Sequence, residues 1–197
     1  QIPIPPFSSY LRPYTMNAAG QIAGEADFHV NGGPYTHAFL YDSNGGGNPI
    51  DLNPGEEEDF LTDAMNANGD VAGTSDFSPR VFLHRNGTTS YFDTYGSVIG
   101  MNDHGTVIGG DLSHPEDNFV IYNGTFYTLG SLNPDGSPFD ELLFVNSINN
   151  LGQIGGSGLI GGGTQAFVLE EVPEPGALAL TALGGVVLLA WRRTRRA

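Results

Sequence analysis

Aspartates recur at matching places along this chain. Asp27 and Asp76 each stand three residues after a glycine of the same local motif, and Asp111 stands close to the equivalent place. Carboxylates gathered on one rim of a repeated fold can hold a hard cation, so these three are the calcium candidates. Against that reading, no Asp-x-Asp-x-Asp-Gly loop is present, and an aspartate at a strand end more commonly caps a turn. The histidines are His29, His37, His84, His104 and His114, and none has the spacing of a zinc-binding helix. His37 reads as a strand residue and His104 as a turn residue. The chain has no cysteine, which excludes disulfides, thiol catalysis and cysteine-held zinc or iron–sulfur centres. It also lacks a Gly-x-Ser-x-Gly elbow and a phosphate-cradling loop, so no catalytic residue is assigned. Glu56-Glu57-Glu58-Asp59 reads as a solvated acidic loop. A glycosidase-type carboxylate pair is defined by separation in space, which spacing in sequence does not give. Tyr35, Tyr41, Tyr91, Tyr95 and Tyr127 could stack on sugars, but alternating aromatics in strands usually pack a core.

The elements that must position these residues come from a repeat. Four segments share the pattern apolar-Asn-x-x-Gly-x-(Ile/Val)-x-Gly. They begin at Met16-Asn17, Met65-Asn66, Met101-Asn102 and Ile148-Asn149, and successive asparagines are 49, 36 and 47 positions apart. Asparagine first and glycine fourth suit a type I turn followed by a left-handed residue. Asn17 with Gly20, Asn66 with Gly69, Asn102 with Gly105 and Asn149 with Gly152 are therefore structural turn residues. The alternation after each turn predicts a strand with one buried face. The second glycine marks a bulge or a close backbone approach.

A further strand follows in each unit, at 37–41, 80–84, 118–122 and 165–169. Asn86-Gly87 and Asn123-Gly124 then signal hairpins into a fourth strand. The prediction is an all-β, propeller-like array of about four small antiparallel blades over residues 1–171. The last unit lacks a fourth strand, and Ile2-Pro3-Ile4 could supply one and close a ring. The units resemble the HAF family of extracellular repeats, named for a His-Ala-Phe triplet that is intact at His37-Ala38-Phe39. The other units keep a phenylalanine, with Arg80, Asn118 and Gln165 in place of the histidine. That resemblance implies an exported location and repeated β-structure, and no catalytic residues.

A composition change begins at Val172. Residues 172–176 form a Pro-rich linker containing Pro173-Glu174-Pro175, residues 177–191 are uncharged and largely apolar, and residues 192–197 hold Arg192, Arg193, Arg195 and Arg196. This predicts a short transmembrane helix with a basic cytoplasmic tail. The three parts in this order resemble a PEP-CTERM sorting signal. The resemblance implies recognition and cleavage by an exosortase, transient anchoring in the inner membrane, and a Gram-negative host that makes exopolysaccharide. The chain would then pass to the cell surface or be secreted.

All 22 acidic residues precede residue 175, and only Arg12, Arg80 and Arg85 oppose them there. Such a body repels phosphates, which argues against nucleic-acid binding. The functional expectation is a non-enzymatic binding or structural protein of the cell surface or matrix, with exopolysaccharide as a candidate ligand. The alternative is a polysaccharide-acting enzyme that uses rim carboxylates.

Overall fold

The computed structural model describes residues 2–3, 10–111 and 113–170. The expected transmembrane helix, the Pro-Glu-Pro motif and the terminal arginines lie outside the described residues. Among the described residues no helix is long and apolar enough to cross a membrane.

Among the described residues fifteen strands build four antiparallel sheets, each a simple meander. The first sheet holds β1 (Leu11–Met16), β2 (Gln21–Val30), β3 (Gly33–Asp42) and β4 (Ile50–Asp51). The second holds β5 (Phe60–Met65), β6 (Val71–Ser75), β7 (Arg80–Arg85) and β8 (Thr88–Asp93). The third holds β9 (Ser97–Met101), β10 (Val107–Asp111), β11 (His114–Tyr122) and β12 (Thr125–Thr128), followed by a 3-10 turn at Leu129–Leu132. The fourth has three strands, β13 (Glu141–Ile148), β14 (Ile154–Ile160) and β15 (Gly163–Leu169).

Short turns set this topology. Asn86-Gly87 and Asn123-Gly124 both have positive φ at both residues (52° and 75°, 50° and 74°), the geometry that matches strand twist in a two-residue hairpin. Each second strand is the middle of its unit and pairs on both sides. The phenylalanine of each third strand faces the second motif glycine: Gly24 opposite Phe39, Gly73 opposite Phe82, Gly109 opposite Phe119 and Gly156 opposite Phe167. This register corrects the sequence alignment of the third unit. Asn118 stands where Ala38 does, and Asp117 takes the histidine position.

The core lies between successive sheets. Ala23 and Ala38 of the first sheet pack on Phe60, Val71 and Phe82 of the second. Ala72, Val81 and Leu83 pack on Val107, Phe119 and Ile121 of the third. Ile108 and Val120 pack on Val145, Ile154 and Phe167 of the fourth. Phe39, Phe60, Phe82 and Phe119 are fully buried, and each contributes roughly 1.5–3 kcal/mol by leaving water. The apolar residue before each motif asparagine serves the same seam. Met65, Met101 and Ile148 pack into the cluster shared with the preceding sheet. Met16 has no preceding sheet among the described residues and is 67% exposed.

The closing strand expected from residues 2–4 is not observed at the two of them that are described. Ile2 and Pro3 lie in no strand, and Ile2 packs on the first sheet's own cluster of Ala26, Phe39 and Tyr41. Ile4 lies outside the described residues.

Candidate functional site

The four motif asparagines form a spine through the stacked sheets. Each side-chain oxygen accepts two backbone N–H groups of its own turn, from Ala19 and Gln21, Asn68 and Asp70, His104 and Thr106, and Leu151 and Gln153. The four motif glycines close the turns onto the asparagine carbonyls at 3.0–3.2 Å with φ of +76° to +82°. The amide then reaches the next unit: Asn17 Nδ2 donates to Asn66 O at 3.3 Å, Asn66 Nδ2 to Asn102 O at 3.1 Å, and Asn102 Nδ2 to Asn149 O at 3.1 Å. An amide carries one acceptor and two donor hydrogens, so one side chain serves both the turn and the seam.

Opposite each second glycine the first strand bulges. The register skips Tyr14 on β1, Asp63 on β5, Ile99 on β9 and Asn146 on β13. The cause is backbone crowding. A Cβ on Gly24, Gly73 or Gly156 would lie 2.1, 1.9 or 2.1 Å from a first-strand carbonyl oxygen. The extra residue of each bulge is turned outward, and all four are exposed. Bulges redirect side chains in this way beside functional surfaces. The exposed row is thus Tyr14, Asp63, Ile99 and Asn146.

Tyr14 bonds a buried carboxylate, and Asp63 lies near enough to feel its charge. Glu25 on β2 is 5% exposed and accepts Tyr14 Oη at 3.0 Å and Tyr10 Oη at 3.3 Å. Its other oxygen accepts the Thr62 N–H at 3.4 Å. Arg12 donates to Tyr14 Oη at 3.0 Å and lies over both tyrosine rings. Desolvation, then the Tyr14 hydroxyl and the Glu25 charge, push Tyr10 up to about 12. Asp63 accepts Thr74 Oγ1 at 2.6 Å, and Val98 N–H donates to that same hydroxyl at 3.2 Å. Asp63 keeps solvent-exposed surface, but crowding around it removes enough water to push its carboxyl up to about 6. The nearby Glu25 charge acts in the same direction, while the Thr74 hydroxyl opposes it.

The calcium candidates do not converge. Asp76 and Asp111 line one open cleft between the second and third sheets, of about 470 Å³, and Asp27 is not among its lining residues. Asp111 already accepts the Ser113 N–H at 2.7 Å and pairs with exposed His114 at 3.1 Å. The Ser113 N–H, followed by His114, holds the Asp111 carboxyl below the ordinary aspartate range. Among the described residues no three His, Asp or Glu side chains gather where they could hold a metal.

His37 is fully buried. Its Nδ1 faces Asp51 at 2.9 Å, its Nε2 faces Glu56 O at 3.1 Å, and its ring stacks near Phe28 and Tyr35. The acidic run beyond it is not the solvated loop expected from composition. Glu56 and Glu58 clamp Arg80, which also covers the Phe60 and Tyr91 rings. Asp59 accepts the Thr36 N–H at 2.8 Å. A run of four acids beside one distant arginine gives no local signal of this clamp, because the pairing spans about twenty residues of chain.

Sequence reasoning also missed Glu25, Asp63, Tyr14 and Arg12. The one available signal was the second motif glycine, which marks the bulge but does not say which side chain the bulge turns outward. No family model, no curated protein and no solved structure matches this chain.

Proposed function

We propose that this chain is an exported surface or extracellular-matrix protein, sorted by an exosortase, with a binding or structural role and no catalysis of its own. Its four sheets act as the blades of a propeller-like array. The observation that carries the non-enzymatic reading is the use made of the repeated polar residues. Each motif asparagine is spent on its own turn, and three of the four also bridge to the next sheet. The repeat therefore encodes a scaffold. The sorting reading rests on the order Pro173-Glu174-Pro175, apolar 177–191, then Arg192, Arg193, Arg195 and Arg196. In it the apolar segment is a transient inner-membrane anchor and the exposed body faces exopolysaccharide. C-terminal peptide mapping of the mature protein from an exosortase-bearing host tests the sorting: recovery of intact peptides spanning Trp191–Ala197 would defeat the processing.

One observation favours the enzymatic alternative. Glu25 is held by tyrosine hydroxyls, while nearby Asp63 retains its proton to a pH of about 6. Two carboxyls in unlike environments are the arrangement acid–base hydrolysis of a glycosidic bond uses. Incubating the protein with exopolysaccharide, and scoring co-sedimentation and new reducing ends in the same tubes, separates the readings. Co-sedimentation without new ends supports the binding role. New ends that vanish in Asp63→Asn would establish the enzyme.

A further inference from the structure

The fourth sheet stops one strand short. In the first three sheets the third strand is covered by a fourth, β4, β8 or β12, whereas among the described residues β15 has a partner on one edge only. The repeat shows what that place holds when filled. In the third unit Phe126 of β12 stands opposite Ile121 and packs on the cluster containing Val107 and Ile121. The register equates that pair with Ile154 and Leu169 in the fourth unit, since Val107 pairs with Ile121 as Ile154 pairs with Leu169. At Ile154 and Leu169 there is instead a cleft of about 350 Å³, completed by Val120, Tyr122, Tyr127 and Leu132. Clefts of this size lie in the range that holds ligands, about 300–1,000 Å³. The edge beside it has no strand among the described residues, since the fourth sheet runs β13-β14-β15 and ends there.

We infer that the free edge of β15 and this cleft form one binding site for an extended peptide strand supplied by another polypeptide. The strand adds antiparallel to β15 and places an aromatic side chain opposite Leu169, in the cleft. Main-chain hydrogen bonds to the edge supply affinity, and the ring supplies selectivity. The partner's chemistry follows from the two longer of the three internal precedents, and the ring opposite Leu169 from the third unit, where Phe126 faces Ile121. The longer of the occupying strands read Thr-Thr-Ser-Tyr-Phe-Asp and Thr-Phe-Tyr-Thr, so the ligand is a hydroxyl-rich, aromatic-bearing segment. Two features favour another polypeptide over the chain's own ends. Ile2 is committed to the first sheet. Pro173 and Pro175, just after β15 in sequence, lack the N–H groups a returning strand would donate.

The test uses the full chain in mild detergent and a labelled synthetic peptide copying residues 124–130, Gly-Thr-Phe-Tyr-Thr-Leu-Gly. Fluorescence anisotropy should show saturable binding. A peptide with serine in place of its phenylalanine should bind roughly tenfold more weakly or worse, because the buried ring is the anchor. Leu132→Trp, which fills the cleft from the half-buried 3-10 turn, should weaken the parent peptide similarly. Equal binding of the two peptides, or no saturable binding of either, would overturn the site. Sedimentation of the chain alone decides the occupant: a self-associated chain that the peptide dissociates would mean that a second copy, and not a separate partner, fills the edge.

Discussion

The amide of Asn66 donates to the carbonyl oxygen of Asn102 at 3.1 Å, and both residues are buried, at 4% and 3% exposure. This bond crosses from the second sheet to the third, and its donor also holds its own turn together through the Asn68 and Asp70 N–H groups. Truncating such a residue strands buried backbone donors as well as breaking the seam. Each lost bond of this kind costs about 1 kcal/mol, and more where a partner is left unsatisfied. Asn102→Ala should therefore destabilise by about 2–4 kcal/mol. Asn149→Ala should cost about 1 kcal/mol, because Asn149 is exposed and, among the described residues, its amide donates within its own turn, to Gln153. Urea denaturation midpoints of the two variants check the ranking. Equal losses would mean that the spine carries no energy between sheets.

Glycine is needed for two different reasons, and the two separate experimentally. Gly73 has ordinary backbone angles, but its Cβ would lie 1.9 Å from the Leu61 carbonyl oxygen. Gly87 has φ of +75° with open space around it. Gly73→Ala must push β5 away from β6 and should cost about 3 kcal/mol or more, as overpacked cores do. Gly87→Ala strains one turn and should cost about 1 kcal/mol. Thermal unfolding of the pair gives the comparison. A Gly73→Ala protein as stable as Gly87→Ala would mean that the bulge yields freely.

The contrast between these glycines shows what sequence carries and what it does not. Turns are local: Asn at the first position and Gly at the fourth specify a hydrogen-bonded loop within five residues, so Asn17, Asn66, Asn102 and Asn149 were legible before any coordinates. The meander of short strands was legible for the same reason, since hairpin turns and alternation are both short-range. The exposed row was not. Which residue a bulge ejects depends on register between strands, and Asp63 and Tyr14 gain meaning only because β1 and β5 pack side by side over Glu25. The third-unit register slipped in sequence because the distance from the second motif glycine to its facing phenylalanine varies, from Gly24–Phe39 to Gly73–Phe82, Gly109–Phe119 and Gly156–Phe167, so pairing and not spacing places the phenylalanine. The Arg80 clamp was hidden for the same physical reason, as its partners come from the loop between the first and second sheets.

Calcium should have little effect on the folded body. Calcium takes about six to eight oxygen ligands. Asp76 and Asp111 share an open cleft, but Asp111 is already engaged with Ser113 and His114, and Asp27 does not join them. Millimolar calcium in place of a chelator should shift the melting temperature by less than about 2 °C, since stabilisation by a ligand grows only with occupancy of the native state. A larger rise that disappears in Asp76→Asn would restore a specific site.

Asp63 makes stability depend on pH in a direction opposite to that of an ordinary ion-paired aspartate. Its carboxyl is raised from 3.8 to about 6 in the fold, chiefly by desolvation. A raised folded value means that the native state binds the proton more tightly than the unfolded chain. The associated stabilisation is complete below the unfolded value and is lost as pH rises through about 6. Asparagine cannot ionise, and its side-chain oxygen can still accept the Thr74 hydroxyl that now bonds Asp63 at 2.6 Å. Asp63→Asn should therefore gain on the wild type between pH ~4 and ~6, and be at least as stable at pH ~7.5. The difference in melting temperature between the two proteins isolates this group from the other carboxylates, which titrate in both. Glu25→Gln removes the negative charge that helps raise Asp63, so in that background the crossover should move to lower pH. A difference that stays flat across the range would mean that water reaches the carboxyl freely, and the case for Asp63 as a proton donor at the exposed row would fall with it.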